Sequence, residues 1–333
     1  MKKIINTPEN YVRDTIEGII AAYGDRLKLL NGDFRMVIAR QMPKPGKVGI
    51  VTGGGSGHLP LFLGYVGKGM ADGCAVGNVF ASPSSGKMAD LIRACDFGGG
   101  VLCLYGNYGG DNMNFQMACD EVEMDGIQTE IVTAADDVAS APSENAQKRR
   151  GVAGLVYAYK IAGAAADEMM NLQEVAAITR KALNNIRSMG IALSPCIVPE
   201  VGVTTFTIGE DEVEIGMGIH GEKGIEVHKM MTADELAAVM LEKIISDNPL
   251  KNGDEVSVMV NGLGATPLEE QMIFYRAVHK LLDDRGVSVV LPHIGEYATS
   301  MEMAGLSLTV FQLDDQLKRL LKAPASTPFY NFS

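Results

Sequence analysis

The chain has 333 residues, of which 47% are hydrophobic and 21% charged, and this length and composition fit about two globular domains with a sizeable core. Its formal net charge of -12, without a basic run, has the wrong sign for binding the phosphates of nucleic acid or an anionic membrane surface. No segment approaches the roughly 18 uninterrupted apolar residues of a membrane span, and no apolar stretch follows the N-terminal lysines, so we expect neither membrane insertion nor a signal peptide.

Apolar runs alternate with helix-like stretches along the chain, which is typical of an α/β fold. Three helices are predicted in the N-terminal half, the last ended by Gly190: residues 8–22, 151–170 and 171–189. Three buried strands are predicted there: residues 47–52, 101–105 and 127–133. The first two strands run into glycine-rich segments, which we interpret as turns.

The C-terminal half repeats this alternation. Six strands are predicted: residues 191–198, 204–208, 212–218, 256–260, 287–291 and 306–313. Two helices are predicted, the first with Thr232 as its N-cap: residues 232–246 and 267–285. We therefore expect two α/β domains, residues 1–189 and 190–333, each with a central sheet flanked by helices.

The five cysteines are irregularly spaced, and no two form a C-x-x-C pair. They are Cys74, Cys95, Cys103, Cys119 and Cys196. This pattern is typical of buried thiols in a reducing compartment, and not of a disulfide framework or a zinc site. We therefore expect a cytoplasmic protein.

The first glycine-rich segment, Gly53-Gly54-Gly55-Ser56-Gly57-His58, follows a predicted strand, where α/β folds place their ligands. It is not a phosphate-binding P-loop, because His58 stands where that loop has its lysine. Its spacing also differs from that of a dinucleotide-binding loop. A plain tight turn and a ligand loop both remain open; His58, which can exchange a proton near neutral pH, favours the ligand loop.

The second such segment runs from Gly106 to Phe115 and contains Asp111. This aspartate could act as a general base, or it could cap a helix that begins near Asn114, and the two roles are compatible. A third segment, Gly216 to Gly224, places His220 among glycines that leave its ring accessible to a substrate. The settings of the other three histidines suggest no function: His228, His279 and His293.

Six motifs together resemble the dihydroxyacetone-binding K subunit of dihydroxyacetone kinase, in the order and spacing of that family. They are GGGSGH, NYGGDNMNF, RRGVAG at Arg149–Gly154, GIALSPCIVP, GIHGE, and NGLGATPLEE. The resemblance covers essentially the whole chain. It implies two α/β domains, a homodimer, and covalent capture of the ketone as a hemiaminal on His220.

The same resemblance implies that His58 and Asp111 act on the substrate hydroxyl and that Gly55, Ser56 and Gly57 line the substrate with backbone groups. It places ATP or ADP and Mg²⁺ on a separate L subunit, which a phosphotransferase-system protein often recharges. We expect no cofactor, metal, nucleic acid or membrane to be bound by this chain.

Three positions depart from the family pattern, and one of them is Gly109, where the family usually has a threonine. Gly106 stands where the family usually has a substrate-binding lysine, and Leu59 replaces the glutamate of a G-H-E-P motif. The lost lysine makes room, so we expect the pocket to accept a longer ketose, such as the tetrulose erythrulose. It also fits a ketose-sensing paralogue that co-activates transcription. Because His58, Asp111 and His220 are all present, a kinase subunit is favoured over a sensor.

Overall fold

A computed structural model describes residues 2–41 and 43–333, which form two compact units. Unit 1 comprises residues 1–134, 156–182 and 319–333, and unit 2 comprises residues 135–155 and 183–318. This division differs from the single break predicted between residues 189 and 190, because the chain passes between the units four times.

The described residues form fourteen strands. They are β1 (Leu27–Leu30), β2 (Asp33–Ala39), β3 (Gly49–Ser56), β4 (Gly73–Val79), β5 (Val101–Gly106), β6 (Thr129–Ala134), β7 (Ile186–Ser194), β8 (Glu212–Ile215), β9 (Glu226–Lys229), β10 (Glu255–Gly262), β11 (Ser288–Gly295), β12 (Ala304–Leu313), β13 (Ala325–Ser326) and β14 (Asn331–Phe332). The first six build the sheet of unit 1, and β7 to β12 build the sheet of unit 2. The predicted α/β class is confirmed.

Eight α-helices accompany these strands within the described ranges. They are α1 (Tyr11–Tyr23), α2 (Ser85–Cys95), α3 (Gly109–Glu123), α4 (Leu155–Asp167), α5 (Leu172–Asn184), α6 (Ala233–Asp247), α7 (Leu268–Asp283) and α8 (Asp315–Leu321). None of them is long and apolar enough to cross a membrane.

The sheet of unit 1 has the order β1-β2-β4-β3-β5-β6. Strand β3 pairs in parallel with β4 on one side and with β5 on the other. Because the chain leaves β3 for one neighbour and later enters the sheet again on the other side, the carboxyl ends of β3 and β5 form a topological switch point. Such points are where open α/β sheets bind ligands.

The sheet of unit 2 has the order β11-β10-β12-β7-β8-β9, with only β10 and β11 parallel. Helices α6 and α7 contribute apolar side chains to its core, including Leu236, Met240 and Phe274. As predicted, Thr232 caps α6: its side chain accepts from Glu235 N, and the Glu235 side chain accepts in return from Thr232 N.

Two predictions around residue 190 were wrong. The helix predicted over residues 171–189 ends at Asn184, and Gly190 lies inside β7 opposite Ser307 of β12. Pairing with β12 overrides the helical pattern of the sequence here. A Cβ on Gly190 would lie 2.7 Å from the carbonyl oxygen of Met217, so the glycine permits a close approach of backbone.

Of the other strands predicted in unit 2, one is absent and one is shorter than expected. Residues 204–208 form no strand: Thr204 makes a single bridge to Ile197. Strand β8 ends at Ile215 because Gly216 takes a φ of 84°, which turns the chain out of the sheet. The segment with His220 is therefore a connection between β8 and the edge strand β9.

Candidate active site

The GGGSGH segment is mostly strand, which corrects its prediction as a loop. Gly53, Gly54, Gly55 and Ser56 complete β3, and the turn is made by Gly57 with a φ of 103°. The glycines admit aromatic rings and backbone: a Cβ on Gly54 would lie 2.3 Å from the ring of Phe62, and one on Gly55 would lie 2.7 Å from the backbone nitrogen of Ala81. The Ser56 hydroxyl donates to the carbonyl oxygen of Gly77 at 2.8 Å.

His58 follows this turn and is 1% exposed. Its ring stacks on Phe80, with centroids 4.9 Å apart and planes 21° from parallel, and lies edge-on to Phe62 at 6.2 Å. The Phe80 backbone N–H donates to Ser56 O at 3.0 Å, which ties the segment after β4 to the end of β3. The imidazole is therefore held by aromatic packing.

Asp111 lies in the first turn of α3 and is 6% exposed. The helix begins at Gly109, its N-cap is Tyr108, and no side chain caps it. The predicted N-cap role of Asp111 is therefore wrong, because the helix starts before Asn114 and already includes the aspartate. A carboxylate in a first helical turn is stabilised by the helix dipole and by nearby backbone N–H groups.

Packing within unit 1 fixes the start of α3. Phe115 stacks on Tyr105 of β5, with centroids 4.1 Å apart, and a Cβ on Gly53 would lie 3.4 Å from the Phe115 ring. The Asn114 side chain donates to Pro83 O at 2.8 Å. Asp111 is thus positioned by the same elements that shape the carboxyl ends of β3 and β5.

His58 and Asp111 both lie at this switch point of unit 1, as their places after β3 and β5 predict. In the same unit, the hydroxyl groups of Thr52, on β3, and Tyr159, on α4, are 2.5 Å apart. Burial raises the pKa of Tyr159 well above its usual range, and the negative charge of Asp111 raises it further. Gly106, the other residue predicted to bind substrate, is the buried last residue of β5 and pairs with Ala134.

His220 lies in unit 2, between β8 and β9, and its side chain is 21% exposed. A tight local turn shapes this segment: Gly218 N donates to Glu222 O at 3.0 Å, and Gly221 N donates to Gly218 O at 3.1 Å. The turn brings the Glu222 side chain back to the histidine.

Glu222 was not singled out from the sequence, although it stands two residues after the histidine in the GIHGE motif. Its Oε1 lies 2.9 Å from His220 Nδ1, and its Oε2 accepts from the His220 backbone N–H at 2.9 Å. Burial alone would raise the pKa of Glu222, but the hydrogen bonds from His220, the positive charge of that ring when it is protonated, and the charge of Arg150 outweigh it and lower that pKa to about 2. The carboxylate is therefore ionised at neutral pH.

Arg150, from the RRGVAG motif, extends this arrangement. Its Nη1 lies 3.8 Å from Glu222 Oε2, and its Nη2 lies 2.7 Å from Asp137 Oδ2 and 3.1 Å from Gly216 O. A Cβ on Gly218 would lie 2.1 Å from Glu222 Oε2 and 2.4 Å from Arg150 Nη1. The glycine beside His220 therefore makes room for the charged pair, a role that the sequence alone does not reveal.

Comparison with known proteins gives concordant matches. The Dak1 domain matches residues 17–329. The PTS-dependent dihydroxyacetone kinase 1, dihydroxyacetone-binding subunit DhaK, of Listeria innocua is 46% identical over 328 residues, which are 98% of this chain and 99% of that protein. The L-erythrulose kinase of Pectobacterium atrosepticum is 41% identical over 334 residues, which are 99% of this chain but 56% of that protein.

A solved structure agrees with these relatives. The dihydroxyacetone kinase operon co-activator Dha-DhaQ superposes with a TM-score of 0.89 at 32% identity, over 96% of this chain and 98% of that one. The matches extend over both units and include the segments of His58, Asp111 and His220. The chain therefore belongs to the Dak1 domain family.

Proposed function

We propose that this chain is the ketose-binding subunit of a kinase: it captures a short ketone on His220 and presents a hydroxyl group for phosphorylation by a separate subunit. The observation that carries the proposal is the placement of His58 and Asp111 at the carboxyl ends of adjacent parallel strands, at a ligand-binding switch point. The full-length similarity to the dihydroxyacetone-binding subunit of Listeria innocua supports it.

Covalent capture gives selectivity that shape cannot give. An imidazole nitrogen adds to an electrophilic carbonyl carbon, which a polyol such as glycerol lacks. A pocket that relied on shape would discriminate weakly between a ketone and an alcohol of similar size. Capture also holds the terminal hydroxyl in one pose, and such positioning can contribute on the order of 7–11 kcal/mol in ideal cases.

Phosphoryl transfer then requires a base beside the hydroxyl and an in-line donor. Asp111 accepts the hydroxyl proton while the oxygen attacks the phosphorus, and His58 holds the hydroxyl in place. The buried setting of both residues favours these roles because it keeps competing water away from the reacting hydroxyl.

The nucleotide and Mg²⁺ belong, in this proposal, to a partner L subunit, which a phosphotransferase-system protein can recharge. Two features of β3 support placing the nucleotide on the partner. The side of Gly54 where a Cβ would lie is filled by the Phe62 ring, and that of Gly55 by the Ala81 backbone. The segment also lacks the lysine of a P-loop. The relative from Listeria innocua is itself named as a subunit of a PTS-dependent kinase.

We also propose that the protein works in the cytoplasm and as a homodimer. All five cysteines are unbridged and buried, which suits a reducing compartment. Strand β9 ends the sheet of unit 2, and Val227 on it and Met230 just beyond it are 50% and 52% exposed. The unpaired edge of β9, with these two exposed apolar side chains, supports association with a second copy.

Incubation with dihydroxyacetone should add the mass of one ketone to the intact protein, and peptide mapping should place it on His220. Replacing His220 with Asn should abolish the adduct, whereas His228→Asn should retain it, because His228 pairs with Glu226 on the exposed edge strand. Glycerol, which has no carbonyl, should leave the mass unchanged. An adduct of equal occupancy on His220→Asn would refute capture at this residue.

The substrate is expected to be a tetrulose. Gly106 replaces the family's lysine, and the extra room at the end of β5 should favour erythrulose over dihydroxyacetone by roughly tenfold, the order that one added carbon contributes in a pocket. Titration of the His220 adduct with each ketose measures this preference. Gly106→Lys should shift it toward dihydroxyacetone, and a clear preference of the unmodified protein for dihydroxyacetone would exclude the idea.

A second candidate function is that of a ketose-sensing co-activator, which the likeness to Dha-DhaQ favours. A sensor needs His220 for capture but does not need a base at Asp111. Turnover with a purified L subunit separates the two functions. Phosphorylated ketose identifies a kinase subunit, whereas capture without product identifies a sensor.

A further inference from the structure

We propose that Glu222, held by Arg150, is a positioning residue that fixes the tautomer of His220 and thereby makes its Nε2 the nucleophile. The inference rests on the proposed function, since it assigns the atom that attacks the ketone. It also gives a role to Arg150 of the RRGVAG motif, which the capture chemistry alone leaves unexplained.

The first step is the hydrogen bond between the two side chains. Glu222 Oε1 lies 2.9 Å from His220 Nδ1, and an ionised carboxylate can only accept a hydrogen bond. The Nδ1 atom of a neutral imidazole must therefore carry the proton, which leaves the lone pair on Nε2. The hydrogen bonds from His220 and the charge of Arg150 lower the pKa of Glu222, which keeps the carboxylate in the accepting form beside a neutral ring.

The second step is what holds the carboxylate. Its other oxygen, Oε2, accepts from the His220 backbone N–H at 2.9 Å and faces Arg150 Nη1 at 3.8 Å. Arg150 is itself fixed, because its Nη2 and Nε lie 2.7 Å and 2.9 Å from Asp137 Oδ2. Charges of alternating sign on Asp137, Arg150 and Glu222 thus connect a buried carboxylate to the reactive ring of His220.

The capture reaction can be followed through its bonds, electron pairs and protons with this tautomer. The Nε2 lone pair forms the bond to the carbonyl carbon, and the π pair of the C=O bond moves to oxygen, which takes up one proton. The ring is then cationic, and the Glu222 carboxylate stabilises it through the Nδ1–H bond. The ring keeps its Nδ1 proton, because without it the carboxylate would face a second lone pair. Capture therefore takes up one proton in all, from solvent, onto the former carbonyl oxygen.

Glu222→Gln tests the assignment because it has almost the same shape. The Oε2 position faces two donors, so the glutamine oxygen is expected there, which places its NH₂ against Nδ1. The amide then donates to Nδ1, and His220 is forced to carry its proton on Nε2. The same error of tautomer in a serine protease triad lowers kcat by about 10⁴-fold, and we expect capture of erythrulose to weaken by about 10²-fold or more.

Two measurements on the full-length protein test whether Glu222 fixes the tautomer of His220. The ¹⁵N chemical shifts of the His220 ring should report proton on Nδ1 in wild type and on Nε2 in Glu222→Gln, without any ketone present. Intact-mass titration with erythrulose should show the matching loss of adduct. Glu222→Asp retains a carboxylate and should retain the wild-type tautomer, so rescue by this variant separates positioning from a general loss of structure.

Glu226→Gln is the matched control, because it removes the same charge from unit 2 but contacts His228 and Lys243 instead of His220. It should leave tautomer and capture unchanged. Capture within threefold of wild type in Glu222→Gln, or an Nε2–H tautomer in wild type, would overturn the inference. Failure of wild type itself to form an adduct with erythrulose or dihydroxyacetone would instead refute the proposed function.

Discussion

Replacing Asp111 with Asn is expected to lower kcat for ketose phosphorylation by about 10²- to 10⁴-fold, the usual contribution of a general base. The amide has nearly the same shape as the carboxylate but cannot accept the hydroxyl proton. Ketone capture on His220 should persist, because Asp111 acts only in the transfer step. The measurement is turnover with a purified L subunit, set beside the occupancy of the His220 adduct.

Asp120→Asn provides the control on the same helix. Asp120 is exposed on α3 and accepts from the Gln116 side chain at 2.7 Å, so its replacement should leave both turnover and capture unchanged. A fall in kcat of less than tenfold for Asp111→Asn would exclude the aspartate as the base and leave His58 as the remaining candidate. Equal turnover in all three proteins would contradict the division of labour between capture and transfer.

Most of the fold was predictable because its patterns are local. The helices at residues 232–246 and 267–285 were predicted within two residues of the observed ends, since an N-cap or a proline marks where each begins. The errors arise where pairing partners are distant in sequence. Strand β7 begins inside a predicted helix because Ile186 pairs with Phe311 of β12. The sequence of residues 185–189 does not indicate this pairing.

In the candidate site, too, the residues with a local sequence signal were predicted and those with distant partners were not. His58, Asp111 and His220 could be singled out because each stands in or beside a glycine-rich segment near a strand end, which is a local signal. The residues that tune His220 could not, because Arg150 is distant in sequence and reaches Glu222 only in the folded unit. Gly54 and Gly218 make room for an aromatic ring and an ion pair, respectively, and these contacts are also formed only in the folded chain.

Arg149, the neighbour of Arg150, has a separate structural role. It is 2% exposed and forms a bidentate ion pair with Asp247. Its Nη1 lies 2.9 Å from Asp247 Oδ2, and its Nη2 lies 2.5 Å from Asp247 Oδ1. Arg187 donates to the same carboxylate. Asp247 is the last residue of α6, where the helix dipole disfavours a negative charge. The two arginines must therefore offset both burial and the dipole.

Asp247→Asn is expected to lower the free energy of unfolding by about 3–5 kcal/mol, because it leaves a buried arginine without its counter-charge. Hydrogen bonds from Arg149 hold the pKa of Asp247 below its usual value. The stabilisation is therefore complete above the unfolded-state pKa of about 4 and is lost as pH falls through the folded-state pKa. Urea unfolding at neutral pH should show the full difference in unfolding free energy between wild type and variant, and this difference should narrow below about pH 4.

Asp284→Asn, which breaks an exposed pair with Lys280 on the surface of the same unit, should leave the unfolding curve unchanged. If Asp247→Asn lowered the free energy of unfolding as little as this control does, water would have to reach Arg149. The bidentate pair would then not hold α6 against its sheet.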